Sequence, residues 1–223
     1  MDSHSNELPT SLFSLSALEL APRLLGHTLV RHTEAGTIRC RIVETESYGG
    51  IEDKGSHAFG GRHTSRTSIM YEPGGVAYIY LIYGMYHCLN VVAGAQDDPQ
   101  AVLIRAVEPL DEIDRVIMST YRDIPTGKKA LLSNGPGKLC RALRIDRSLN
   151  GYDLRNTQGP LWLEIGDAEQ NFIISAAPRI NIAYAEEYAD LPWRFYIEGN
   201  SFVSVKDKQP TAFGTFIDIA SQY

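Results

Sequence analysis

Two strand-like runs meet at an apolar turn in Tyr78–Asn90 (YIYLIYGMYHCLN), and no other segment restricts what the chain can fold into so strongly. Aromatic and branched residues favour strands on both sides of Gly84, so the segment is predicted to be a β-hairpin. Hairpin tips face water and ordinarily carry Asn, Asp or Gly. Here Tyr83 and Met85 flank the turn glycine. Such a tip is covered by the chain itself, buried against a second subunit, or used as a wedge that enters another molecule.

A second segment, Thr37–Tyr48 (TIRCRIVETESY), alternates as a strand does. Ile38, Cys40 and Ile42 share a face with Glu44, Glu46 and Tyr48, while Arg39, Arg41, Thr45 and Ser47 take the other. Two carboxylates thus extend an apolar face. Burying an ionised carboxylate is costly unless it is paired, and Arg105, on a strand face with Leu103 and Val107, is the available partner. The pair either holds two strands together or keeps a glutamate in a dry pocket to deprotonate a water. Between these strands the polar segment Gly55–Arg66 (GSHAFGGRHTSR) can bring His57 back to the strand end.

The 223 residues suit a short flexible tail over 1–12 followed by one domain over 13–223, long enough for a substantial core. No apolar run reaches membrane-span length, and Glu19 and Arg23 interrupt the apolar stretch after an N-terminus without a basic region, so an intracellular protein is expected. Cys40, Cys88 and Cys140 are isolated, as buried reduced thiols are. The six histidines show no metal-ligand spacing, and neither a metal nor a cofactor is expected. A net charge of −6 argues against a nucleic-acid partner, but its distribution does not. Arg122, Lys128, Lys129, Lys138, Arg141, Arg144 and Arg147 crowd a stretch holding only Asp123 and Asp146 as acids. Gly135-Pro136-Gly137 opens a predicted helix in this stretch, which makes Gly137, Lys138 and Arg141 candidates for phosphate contact.

Ser16 and Glu19 form a capping box for a helix reaching about Leu25, with Pro22 a kink and Gly26 its end. Strands are predicted near 28–32, 37–48, 76–83, 86–93, 101–107, 161–165, 173–176 and 194–197, with Phe202 to Val205 completing the sheet. Helices are predicted near 111–119 and 137–143. The fold class is α+β: a single mixed domain with a curved, largely antiparallel sheet and a protruding hairpin, flanked by helices.

The runs Arg41–Tyr48, Glu52-Asp53 followed by His57, Gly60–Arg62, Tyr78–Tyr86, Leu103–Pro109 and Gly135–Cys140 resemble the alkyladenine DNA glycosylase family, the 3-methyladenine DNA glycosylases without a helix-hairpin-helix motif. The similarity runs in order from about Leu20 to about Val205. It implies that Glu46 activates the water attacking the sugar C1′ and that Arg105 holds that water. It implies that a flipped base is sandwiched between Tyr48 and His57 on one side and Tyr80 on the other, and that Asn90 rejects guanine. It also implies that Tyr83, with Met85 beside it, fills the gap left in the duplex. The partner so implied is double-stranded DNA bearing damaged purines, acted on by a monomer without cofactor.

The expected reaction is monofunctional: an alkylated or deaminated purine (3-methyladenine, 7-methylguanine, hypoxanthine or ethenoadenine) leaves as free base after flipping. His57 and nearby backbone groups are the candidate donors to a neutral leaving base. A nucleoside hydrolase would use the same glutamate but not an exposed Tyr83, and a non-catalytic nucleic-acid-binding module would use Tyr83 but not Glu46. A two-residue turn at Gly84-Met85 would set Tyr80 against Leu89 and put Asn90 on the opposite face. A pocket holding both therefore requires an odd-numbered loop or a β-bulge between Tyr83 and His87.

Overall fold

A computed structural model describes residues 6–125, 131–167, 171–207 and 211–216, so Lys128 and Lys129 lie outside the described residues. Among the described residues nine strands form one sheet. They are β1 (Thr28–Thr33), β2 (Gly36–Tyr48), β3 (Ala77–Ile82), β4 (Tyr86–Ala93), β5 (Gln100–Pro109), β6 (Leu161–Glu164), β7 (Phe172–Ala177), β8 (Arg194–Ile197) and β9 (Thr211–Phe216). The sheet runs β3-β4-β5-β2-β8-β7-β9, with β1 bridging β2 and β6 beside this path. All these pairings are antiparallel, and the α+β expectation holds.

Among the described residues four short α-helices flank the sheet: α1 (Thr10–Phe13), α2 (Ala17–Arg23), α3 (Glu112–Arg122) and α4 (Pro136–Ala142). α2 opens on the expected capping box, in which Ser16 and Glu19 exchange hydrogen bonds. Asp111 and Asp114 do the same for α3. α2 packs against β2 and β5, α3 against β2, and α4 against β4 and β5. At the last contact Gly137 is required by space, because a Cβ there would lie 2.9 Å from the Tyr86 ring.

β2 is the spine of the sheet, pairing with β1, β5 and β8. Its register with β5 shifts on either side of Glu44, where the apolar half of the strand gives way to the carboxylates. The hairpin has the odd-numbered loop that a shared Tyr80–Asn90 pocket demands: Ile82 pairs with Tyr86, leaving Tyr83, Gly84 and Met85 as the turn. Tyr80 then faces Cys88 and Tyr78 faces Asn90, so Tyr78, Tyr80, Cys88 and Asn90 share one side. Tyr83 and Gly84 both adopt positive φ, 53° and 69°, a conformation natural to glycine and disfavoured for tyrosine. The tip is not covered by the chain: Tyr83 is 74% and Met85 67% exposed.

Two sequence expectations are corrected. The supposed tail to residue 12 is packed in its described part, where Glu7 bridges to Glu164, Leu8 and Leu12 are buried, and α1 begins at Thr10. Apolar side chains at Leu8 and Leu12 give that segment a reason to dock. Phe202 to Val205 is not a strand. Phe202 and Val203 are buried there, but the next backbone N–H, that of Ser204, is turned onto the Glu44 carboxylate at 2.7 Å, and the sheet is extended instead by β9.

His27, between α2 and β1, is almost fully buried, and its Nδ1 accepts the Gly166 N–H at 3.1 Å. Burial pushes its pKa from 6.5 down to about 4, so the folded protein keeps it neutral while an unfolded chain takes up a proton below about pH 6.5. Its contribution to stability is therefore complete above pH 6.5 and is lost as the pH falls toward 4. Between pH 7 and pH 5 urea titrations are expected to register a loss on the order of 2 kcal/mol from this group. His27→Gln is expected to flatten the pH dependence.

Candidate active site

Arg105 on β5 reaches across to β2 and is shared by two fully buried carboxylates. Its Nε lies 3.2 Å from Glu44 Oε1 and its Nη1 3.1 Å from Glu46 Oε1. Burial pulls the guanidinium pKa down, but Glu46 and Glu44 outweigh it and the net displacement is upward, so Arg105 stays charged. Glu44 is satisfied from further behind: Arg194 Nη1 donates to it at 3.1 Å, and Ser204 donates through both its N–H and its hydroxyl. Arg194 is itself buried and continues to the Pro178 and Val205 carbonyls and to Asp207.

Glu46 faces the other way. Its Oε1 also accepts the Ile180 N–H at 2.7 Å, and its Oε2 accepts the Tyr48 hydroxyl at 2.9 Å. Burial, then the neighbouring Glu46 charge, raises the Tyr48 pKa well above the ordinary phenol range, so the proton of this bond stays on tyrosine.

A second buried ion pair holds the surrounding loops. Arg179 donates to both oxygens of Asp53, at 2.6 and 2.8 Å, and to the Ser47 carbonyl at 2.9 Å. Its guanidinium stands 4.8 Å from the Tyr48 ring centroid. Asp53 also accepts the Gly49 and Gly55 N–H groups, which tether the ends of the loop between Tyr48 and His57. Because Ile180 follows Arg179 directly, the same pair sets the backbone that delivers its N–H to Glu46.

Opposite lie the hairpin residues. Asn90 Nδ2 donates to the Tyr78 carbonyl at 2.9 Å, which fixes its side chain. His57 Nδ1 is 2.9 Å from Tyr78 Oη, and its ring meets Tyr80 edge-on, with centroids 4.6 Å apart at 79°. This corrects the expected sandwich: a planar base has no room between His57 and Tyr80 at that separation, so His57 shares a wall with Tyr80 rather than with Tyr48. The bond to Tyr78 on β3 is what anchors it there. Burial, then Arg66 and Arg62, lowers the His57 pKa to about 4, so near neutral pH it is an uncharged imidazole and not a strong acid.

These residues enclose a cavity of about 580 Å³. Tyr48, His57, Tyr80, Tyr83, Asn90 and Arg105 line it, as do Gly137, Lys138 and Arg141. Glu46 sits one layer behind, through its bonds to Tyr48, Arg105 and Ile180. Met85 stays out on the exposed tip. Arg122, absent from the expected set, joins the basic side of the lining. Burial and then Arg141 lower the Arg122 pKa, and burial and then Arg122 lower that of Lys138. The cations act on one another, which favours an anionic partner. Lys138 meanwhile donates to Asn134 Oδ1 at 2.8 Å. Among the described residues no group of three or more His, Cys, Asp or Glu is placed to hold a metal, and the three cysteines are free and buried.

The sequence pattern missed Tyr78, Arg66, Asp53, Arg179, Arg194 and Ile180 as parts of the site. Tyr78 shares strand parity with Tyr80 and Asn90, so alternation could have found it. Ile180 acts through its backbone and leaves no side-chain signal.

The family model for methylpurine-DNA glycosylase (MPG) matches residues 11–201. The chain belongs to that family. Proteins from Clostridium botulinum and Natranaerobius thermophilus are 46% and 47% identical to it over 203 and 199 residues, each alignment covering 89% of this chain and 99% of the relative. One from Bacillus cereus is 45% identical over 206 residues, 90% of this chain and the whole of the relative. All three are named "Putative 3-methyladenine DNA glycosylase". As a family member the glycosylase is a hydrolase of N-glycosyl bonds whose substrate is DNA. Among its described residues no helix is long and apolar enough to cross a membrane.

The glycosylase's dependence on the Asp53–Arg179 pair can be measured. Arg179→Met strands a buried carboxylate and is expected to cost about 3–5 kcal/mol in denaturant titration. Adding Asp53→Asn is expected to recover part of that loss, because the uncompensated charge is then gone.

Proposed function

We propose that the enzyme flips alkylated or deaminated purines out of duplex DNA and hydrolyses their glycosidic bond with a water activated by Glu46. The observation that carries this reading is a fully buried glutamate, bound to Arg105, at the back of an aromatic cavity beneath an exposed aromatic hairpin tip. A carboxylate so placed accepts the water proton and stabilises positive charge developing on the sugar. Arg105 and the Ile180 N–H fix its orientation, and Arg105 holds the water.

The flipped base enters between Tyr48 and the His57–Tyr80 wall. Asn90, held by the Tyr78 carbonyl, excludes the guanine amino group. Tyr83 and Met85 enter the stack, and Tyr83 fills the vacated space, which offsets part of the few kcal/mol that unstacking costs. Arg122, Lys138 and Arg141 are suited to the DNA backbone, with Gly137 allowing close approach of the hairpin. Substrates in this reading include 3-methyladenine, 7-methylguanine, hypoxanthine and ethenoadenine, and a monomer suffices. An exposed tyrosine at the mouth has no use in a hydrolase of free nucleosides.

The deciding experiment is single-turnover excision from a duplex with one hypoxanthine or ethenoadenine, read by alkaline cleavage at the abasic site. Glu46→Gln is expected to lower the rate by roughly 10² to 10⁴-fold while lesion DNA is still bound. A loss of less than about tenfold would remove Glu46 from the role of base.

Tyr83→Ala separates the wedge from a structural role. Lesion affinity and flipping are expected to fall while the urea midpoint stays within about 0.5 kcal/mol of wild type, as for other exposed substitutions. A large stability loss would instead identify Tyr83 as a packing residue.

A further inference from the structure

Arg66 does not line the cavity, yet it touches both rings of one wall. It lies exposed at the end of the His57 loop, with Nη2 3.2 Å from His57 Nε2 and its guanidinium 4.9 Å from the Tyr80 ring centroid. A guanidinium only donates, so Nε2 is the acceptor and the imidazole proton sits on Nδ1, where it is given to Tyr78 Oη. One exposed side chain thus selects the tautomer of a ring deep in the wall.

The groups acting on His57 are Arg62 and Arg66 from its own loop and Tyr78 and Tyr80 from β3. The charged ones are both cations, and together with burial they keep the imidazole neutral. The Tyr80 ring already faces a guanidinium, so less of its negative quadrupole remains for a second cation. Both effects act in the same direction on an incoming base. A purine alkylated at N3 or N7 brings a positive charge toward Arg66, while a deaminated or etheno purine does not.

We propose that Arg66 is a specificity-determining residue, which biases the base pocket toward neutral purine lesions by holding His57 in its neutral Nδ1–H form and occupying the π-system of Tyr80. This rests on the base-flipping reading of the cavity. It also withdraws His57 from the role of proton donor to a leaving base, since Nδ1–H is engaged by Tyr78 and Nε2 by Arg66. Neutral purines are favoured here through binding.

The test compares wild type with Arg66→Gln and Arg66→Lys, both at an exposed position. Two readouts are taken: the His57 titration by NMR in the free protein, and single-turnover excision at subsaturating enzyme, which includes binding, of hypoxanthine against 7-methylguanine in otherwise identical duplexes. In wild type His57 is expected to titrate near 4. In Arg66→Gln it moves toward its ordinary value, and the hypoxanthine to 7-methylguanine ratio falls roughly two- to fivefold. Arg66→Lys keeps the charge and therefore most of the ratio. An unchanged His57 titration, or an equal loss for both lesions at constant ratio, would overturn the proposal. Wild type inactive on both lesions would refute the base-flipping reading, whereas the coupling of Arg66 to His57 is decided by the titration alone.

Discussion

One guanidinium shared by two buried carboxylates is the interaction on which the rest of this site depends. Taking Glu44, Glu46 and Arg105 out of water costs several kcal/mol per ion, and only close mutual contact returns it. The second arginine, Arg194, and both donors of Ser204 complete the balance at Glu44. Glu46 is thereby free to turn its other oxygen toward Tyr48 and the cavity. Removing Arg105 would leave Glu46 buried without a cation among the described residues, whereas Glu44 would keep Arg194. The network thus ties β2, β5, β8 and the segment around Ser204 into one arrangement.

The hairpin solves a separate problem, which is geometric. A strand has only two faces, so a pocket wall built from β3 and β4 requires every contributing residue to have the same parity. The three-residue loop achieves this, and with it the register that puts Tyr78, Tyr80 and Asn90 on one side. The positive φ of Tyr83 is a local cost of that loop. It is borne at the exposed tip, where the aromatic side chain stands at the cavity mouth.

Between the carboxylates and the hairpin stand two loops that the sheet alone would not order. The Asp53–Arg179 pair orders both, capping the turn after Tyr48, bracing its ring from behind and presenting the Ile180 N–H to Glu46. The carboxylate at the back of the cavity is consequently held in place, while Tyr83 at the mouth stays exposed.

Alternation along Thr37–Tyr48, Tyr78–Asn90 and Ala101–Val107 was enough to place the strands and to offer Arg105 as partner to the buried carboxylates, because strand periodicity and the cost of buried charge are local rules. The odd hairpin loop followed once the family resemblance put Tyr80 and Asn90 in one pocket. The distribution of charge along the chain likewise separated the basic stretch from an acidic total. What only the tertiary structure decided were contacts made at long sequence separation or through the backbone. Arg179 meets Asp53 across 126 residues, and Ile180 meets Glu46 across 134. Apolar patterning predicted a strand at Phe202 to Val205, but the Glu44 carboxylate claimed the Ser204 N–H, a demand that no local propensity records. The side of the pocket on which His57 lies was likewise set by a hydroxyl on another strand, Tyr78, since a loop residue takes its place from whatever satisfies its hydrogen bonds.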